Sequence, residues 1–365
     1  MRAEVREFLK NDPAMQRPRV NGWAVWDREF SKRLGARGWV GMNWPKMYGG
    51  GERTAFERLV VVEELLAAGA PASAHWIADR QAGPMLLRFG SEAQRAELLP
   101  KMAAGECGFC LGMSEPDSGS DLASVSTRAT PVDGGWLLNG TKLWTSHAHR
   151  AEYMMLFCRS GHSGETEGRH SGVSQFVVDM RTPGLEIRPV YDQVGSHDFN
   201  EVTFTDAFVP ETALVGEEGA GWRQVMSELA LERSGAERFM SSFVLMREAV
   251  RALEGSTDPG ALRLVGRLTS HLWTLRNMSL SIAGLLQAGA SVDLEAALLK
   301  DLGAVLEQEI PEVVRLLVDS APMRASEDAL ARLLGEAVLL APTFSLRGGT
   351  REVLRNIISR GLGLR

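Results

Sequence analysis

The stretch GMSEPDSGSD, residues 112–121, holds three carboxylates, three serines and two glycines. Such a run is too polar for a core and too rich in Gly and Ser for a stable helix. Its hydroxyls and backbone N–H groups can converge on a polar, partly anionic ligand. The plain alternative is a capping loop in which Ser118 or Ser120 starts a helix. Downstream, NGTKLWTS (residues 139–146) sets Thr145 and Ser146 beside the aromatic Trp144. An aromatic in a strand is usually core.

Metal chemistry finds less support. Cys107 and Cys110 form a C-x-x-C with no second pair and no histidine at ligand spacing. Cys158 lies in a strand-like run and reads as core, and the seven histidines form no H-E-x-x-H. Three cysteines, an odd number, indicate no disulfide framework. A net charge of −6 without a Lys/Arg block argues against nucleic-acid binding. No apolar run reaches the roughly 18–20 residues that span a bilayer. The charged start MRAEVREFLK is unlike a signal peptide. The expectation is a soluble cytoplasmic protein.

The elements that must position these residues change grain twice, which predicts an α+β multidomain chain. Residues 1–108 read as a helical domain, with helices in WDREFSKRLGARGWV, FERLVVVEELLAAGA and the Ser-capped SEAQRAELLPKMAAGE. Residues 109–215 read as a β-barrel or sandwich domain. Its strands are GWLLNGTKLW, EYMMLFCRS, SQFVVDM, LEIRPVY and EVTFTDAFVP, with turns at Asp133-Gly134-Gly135, Asn139-Gly140 and Pro183-Gly184. The loop SGHSGETEGRHSG is expected to be a mobile surface segment. Residues 216–365 read as a four-helix, up-and-down bundle, with helices over 220–253, 258–288, 292–320 and 326–340 and a last one in TREVLRNIIS. No internal repeat and no G-x-G-x-x-G after a strand is found.

LGMSEPDSGSDLAS followed by NGTKLWTS resembles the signature of the acyl-CoA dehydrogenase family. GWVGMNWPKMYGG, DFNEVTFTDAFVPETALVGEEGAGW and GGTREVLRNIISRGLGL extend the resemblance over nearly the whole chain. The start lies within what the family treats as its first helix, so a truncated or misassigned start is expected. The resemblance implies bound FAD, a fatty or related acyl-CoA substrate of the β-oxidation type, and an electron-transfer flavoprotein as acceptor. By position, it sets the Met113 backbone and the Ser114 hydroxyl against the isoalloxazine ring and Ser120 toward the FAD pyrophosphate or CoA. It also sets Trp144 over the dimethylbenzene side, Thr145 and Ser146 near the N5 edge, and Thr350 and Glu352 toward the rest of FAD. Glu115 and Asp121 are signature carboxylates that either fix the loop or meet the ligand.

Dehydrogenation of this type needs a base for the proton α to the thioester while a hydride leaves the β-carbon for flavin N5. Many family members carry a glutamate just before the C-terminal GT, where this chain has Gly348. A second family placement lies before an arginine on the helix opening the last domain, here SELALERSGAERF. Projected at about 100° per residue, Val225, Leu229, Glu232, Ala236, Phe239, Met240 and Phe243 share one face. Ser227, Ser234, Glu237, Arg238 and Ser241 lie opposite. Glu232 in that apolar stripe is the expected base, since an unpaired carboxylate there is costly. A structural ion pair with Arg233 or with another helix is the alternative. Arg233 is expected to orient the site or CoA. Gly348 would open space beside the flavin and lend its N–H to the thioester oxygen, as the family does.

The family's Arg-x-x-Phe-Gly motif, which grips a neighbour's FAD, is absent from REAVRALEGSTDPGALRLV, and ARLLGEAVLLAPTF replaces a Gln- and Gly-rich segment. The expectation is one half of a heteromer with a same-fold subunit; a homo-oligomer with a rebuilt clamp is the alternative. Two other readings stand beside the dehydrogenase, a non-catalytic structural subunit and an oxidase of the same fold.

Overall fold

The computed structural model describes residues 1–161 and 168–364. Residues 162–167 carry the middle of SGHSGETEGRHSG, so the expectation for that loop lies outside the described residues. The chain divides into two compact units: Met1–Asp27, Arg53–Ser73 and Ala230–Arg365 in the first, Arg28–Glu52 and Ala74–Leu229 in the second.

The second unit contains helix α2 (Arg28–Ala36). It also contains most of a helical run of α4 (Ser73–Ile77), a π-turn at Ala78–Ala82 and α5 (Gly83–Phe89), and then α6 (Glu92–Ala103). Ser91 caps α6 as expected, accepting from the Gln94 N–H, and the Gln94 side chain accepts in return from the Ser91 N–H.

Seven strands follow: β1 (Phe109–Gly112), β2 (Arg128–Val132), β3 (Gly135–Ser146), β4 (Tyr153–Arg159), β5 (Val173–Asp179), β6 (Leu185–Val190) and β7 (Phe199–Pro210). They form one sheet in the order β1-β4-β2-β3-β7-β6, with β5 paired to β4. Strand β4, YMMLFCR, is buried on both faces through its middle, which explains its unbroken apolar run. Trp44, Met85, Leu86, Leu99, Met102, Phe109 and Met155 join helices and sheet in one core. Strands β1 and β2 escape the sequence reading because each is short and β2, RATPV, is mostly exposed and carries a proline.

Asn139-Gly140 is not a turn. It lies within β3, where the register against β7 shifts between Leu138 and Gly140. Gly140 has φ +139°, and a Cβ there would lie 2.7 Å from the Thr127 Cα. Asn139 exchanges two 3.0 Å hydrogen bonds with Asp206 across this bulge. Asn-Gly supplies the conformations of a bulge as readily as those of a turn.

The first unit is helical: α1 (Arg2–Asn11), α3 (Ala55–Ala68), the end of α7 (Gly221–Arg233), α8 (Phe243–Ala252), α9 (Pro259–Gln287), α10 (Asp293–Leu317), α11 (Ala329–Leu340) and α12 (Arg351–Gly361). The helix expected over 220–253 is broken. α7 ends at Arg233, Ala236–Arg238 form a 3₁₀ turn, and α8 begins at Phe243. Ser234 bonds its hydroxyl back to the Leu231 carbonyl at 2.8 Å, and Gly235 leaves the helical region (φ −105°, ψ 168°). A Ser-Gly pair therefore overrides the apolar periodicity.

Candidate functional site

In the second unit the polar stretch is a loop leaving β1, held from beneath by one carboxylate. Glu115 accepts from the Ser126 N–H and hydroxyl (both 2.7 Å), the Thr127 N–H (3.0 Å) and the Lys142 ammonium (2.8 Å). Lys142 also donates to the Met113 carbonyl at 2.9 Å. The side chains of this pair are 0% and 3% exposed. Burial alone would raise the Glu115 carboxyl, but Lys142 and the surrounding donors outweigh it and hold the pKa at about 2. Asp121 differs: it is exposed, bonded to Ser124 and Arg169. Both signature carboxylates thus shape the loop. Ser118, buried, donates to the Asp121 carbonyl at 2.8 Å, while Ser120 is exposed.

A second register shift, between Lys142 and Thr145, drops Leu143 and Trp144 out of the β3–β7 pairing. Trp144 takes φ +62°, rare for a bulky residue, and its ring is 56% exposed, edge-on to Phe199. The core reading of Trp144 therefore fails. Beside it the Thr145 hydroxyl is buried and bonded to nothing among the described residues, an orphaned donor of the kind a ligand satisfies. The Leu143 N–H donates to the Ser114 carbonyl at 2.9 Å, so Ser114 and the Trp144–Ser146 segment belong to one local surface, and Met113 is half-buried there. Asn200 fixes the strand end by donating to the Thr145 carbonyl at 3.0 Å while its own oxygen meets His149 and His197.

The first unit holds the remaining predicted residues. Glu232 is not unpaired on an apolar stripe, nor paired with Arg233. Its Oε1 accepts from Arg238 Nη2 at 3.0 Å and its backbone carbonyl accepts from Arg238 Nε at 2.9 Å. The projection that set Arg238 opposite fails because the helix breaks between them. Arg233 instead donates to the Gly348 carbonyl at 2.8 Å. Gly348 has φ +68°, and a Cβ there would sit 3.2 Å from Glu232 Oε1. No acceptor meets the Gly348 N–H among the described residues. Thr350 caps α12 by accepting from the Val353 N–H, with Glu352, exposed, in the first turn.

Arg347 anchors this glycine turn. It donates to Asn21 (2.6 Å), Ser241 (2.7 Å) and Glu307 (2.8 Å), and its guanidinium lies 4.8 Å from the Trp23 ring centroid. Lys300 donates to the Phe344 carbonyl at 2.6 Å, and burial together with Arg238 and Arg347 lowers its pKa to about 7. Sequence reasoning missed Arg238, Lys300 and Arg347. Only the Ser234-Gly235 breaker signalled that Arg238 could turn back.

All three cysteines are free and buried, and burial pushes the Cys107 and Cys158 thiols up to about 12. Among the described residues no group of three His, Cys, Asp or Glu side chains is arranged to hold a metal, and no helix is long and apolar enough to cross a membrane.

The acyl-CoA dehydrogenase N-terminal domain matches residues 1–106 and the acyl-CoA dehydrogenase middle domain residues 110–207. Acyl-CoA dehydrogenase IpdE1 of Mycobacterium tuberculosis is 30% identical, the alignment covering 100% of this chain and 97% of the relative. The chain belongs to the acyl-CoA dehydrogenase family. Another relative, acyl-CoA dehydrogenase FadE26 of the same organism, is 30% identical over 92% of this chain and 88% of its own. Among solved structures, the Tcur3481-Tcur3483 steroid ACAD superposes with a TM-score of 0.90 at 26% identity, over 100% of this chain and 96% of that one. The ChsE4-ChsE5 complex from Mycobacterium tuberculosis contains a chain that matches with a TM-score of 0.85 at 28% identity, over 100% and 96%. This acyl-CoA dehydrogenase is therefore an oxidoreductase of a flavoprotein family. The exposed Trp144 ring and the orphaned Thr145 hydroxyl fit a planar, hydrogen-bonding group such as a flavin.

Proposed function

We propose that this chain catalyses FAD-dependent α,β-dehydrogenation of an acyl-CoA thioester, with Glu232 as the base. One observation carries the assignment. The side chain of residue 348 would begin 3.2 Å from Glu232 Oε1, so the family's two base placements converge on one spot. Gly348 vacates it and Glu232 fills it.

The chemistry that a bound FAD would supply is acceptance of a hydride from the β-carbon. The chain's own residues do the rest. Glu232 is 18% exposed, and its Oε2 accepts no hydrogen bond among the described residues, so it is the oxygen free to take the α-proton. The Gly348 N–H is a donor for the thioester oxygen as enolate character develops, and Arg233 holds the following peptide unit by donating to the Gly348 carbonyl. Met113, Ser114, Trp144, Thr145 and Ser146 hold the flavin ring. Ser120, Thr350 and Glu352 serve its pyrophosphate and adenosine side or CoA, Thr350 and Glu352 at a helix N-terminus.

The neighbour named a steroid ACAD makes a polycyclic acyl group the first to test. The neighbour described as a complex of two named chains, with the absent Arg-x-x-Phe-Gly motif, supports pairing with an unlike subunit of the same fold. An electron-transfer flavoprotein is the proposed acceptor. The test is anaerobic addition of an acyl-CoA panel, fatty and polycyclic, to the purified yellow protein. One class is expected to bleach the flavin, and Glu232→Gln is expected to stop bleaching with FAD retained. Unchanged bleaching in that variant would overturn the assignment.

A further inference from the structure

We infer that Arg238 is the positioning residue for Glu232: it holds one carboxylate oxygen and the backbone of the same residue, so that the other oxygen is presented in a single orientation. The inference rests on the reading of Glu232 as base.

The grip is two-pronged on one residue. Nε donates to the Glu232 carbonyl at 2.9 Å and Nη2 to Oε1 at 3.0 Å. A rotation about the Cα–Cβ or Cβ–Cγ bond of Glu232 breaks the second bond while the first remains, so the carboxylate has a fixed reference on its own main chain. Arg238 is itself buried. Its side chain is 2% exposed, and its guanidinium lies 5.7 Å from the Trp23 ring centroid. Trp23 in turn donates its indole N–H to Ser241 at 3.0 Å. A planar fork presented this way is more rigid than an ammonium on a flexible stem.

Gly348 completes the clamp by absence. A Cβ there would lie 3.4 Å from both Cζ and Nη1 of Arg238, as well as 3.2 Å from Glu232 Oε1. Any side chain at 348 would press on the pair. The Glu232–Arg238 pair therefore closes over the place where a side chain at 348 would begin. The charged groups facing the pair are Arg233, Glu237, Lys300, Glu307 and Arg347. Among the described residues the hydrogen-bonding partner of the Glu232 carboxylate is Arg238.

The experiment uses the intact flavoprotein, with any unlike subunit it is purified with, and the acyl-CoA that bleaches the parent fastest. Bleaching rate at saturation and apparent Kd are measured for Arg238→Met, Arg238→Lys and Glu232→Gln. Urea midpoints are measured for Glu232→Gln, Arg238→Met and the double variant. Arg238→Met is expected to slow bleaching about 100-fold with Kd within about threefold, Arg238→Lys to recover part of the rate, and the midpoint shifts of the two single variants to be non-additive. Bleaching at the parental rate in folded Arg238→Met, or additive midpoint shifts, would overturn the inference. If Arg238→Met does not fold, Arg238→Lys decides: a slower rate at unchanged Kd supports the inference and the parental rate overturns it. The two readings separate cleanly. Bleaching by Glu232→Gln removes the base assignment itself, whereas an inert Glu232→Gln beside a normal Arg238→Met removes only the positioning role.

Discussion

Two carboxylate–cation pairs are built on the same chemistry and differ in what they leave undone. Glu115, in the sheet unit, has both oxygens occupied: Lys142, two N–H groups and a hydroxyl converge on it, and the pair is sealed from solvent. Glu232, in the helical unit, has one oxygen held by Arg238 and the other without a hydrogen bond among the described residues. A saturated buried carboxylate is a structural pin, because any reaction would first have to break its bonds. A half-saturated, half-buried carboxylate has a place for a proton. Completeness of hydrogen bonding, more than burial or charge, separates the two roles.

The comparison can be broken from either side. The largest effect belongs to Glu232→Gln, expected to lower the bleaching rate by about 10²–10⁴-fold with little change in melting temperature; rapid-mixing absorbance and a thermal scan check both halves. Next, Glu115→Ala is expected to cost about 3–5 kcal/mol, because it strands the Lys142 ammonium in a dry site. Denaturant titration measures it, and a loss under about 1 kcal/mol would mean that Glu115 is no pin.

Gly348→Ala comes third. The positive φ costs on the order of 1–2 kcal/mol, and the methyl group would press on Oε1, so a roughly tenfold slower bleaching is expected with FAD still bound. A parental rate would show that the clamp tolerates the contact.

The fourth prediction concerns acid. The folded Glu115 pKa of about 2 lies below its ordinary value of 4.5. Its contribution to stability is therefore present above pH 4.5 and lost as pH falls through about 2. Unfolding free energy measured against pH should fall in that window, and Glu115→Gln should flatten this part of the curve. The smallest effect is that of Asp121→Asn, which should leave melting temperature and bleaching unchanged, since the exposed Arg169 pair is screened by solvent.

Much of the fold was legible in residues that act locally. Ser91 announces a helix N-cap, β4 announces itself by an unbroken apolar run, and Pro183-Gly184 marks a turn. Of the site, the loop at 112–121, the hydroxyl pair at 145–146 and Glu232 were all visible as residue types. Reading failed where one local signal had two solutions. Asn139-Gly140 suits a bulge as well as a turn, and a register against β7 decided it. Val225 to Phe243 fits one helical face, yet Ser234 and Gly235 end the helix and reverse the place of Arg238.

What the sequence determined by itself is the order of helices, strands and helices, the family signature, and the loss of a carboxylate at 348 with another available at 232. These depend on propensities, caps and motifs that span at most a few neighbouring residues. Only the tertiary structure decided which carboxylate is pinned and which is free. Glu115 meets Lys142 across 27 positions of chain and Gly348 meets Glu232 across more than a hundred. Hydrogen-bond saturation is a property of the whole set of donors brought to one point, and no local pattern records that set.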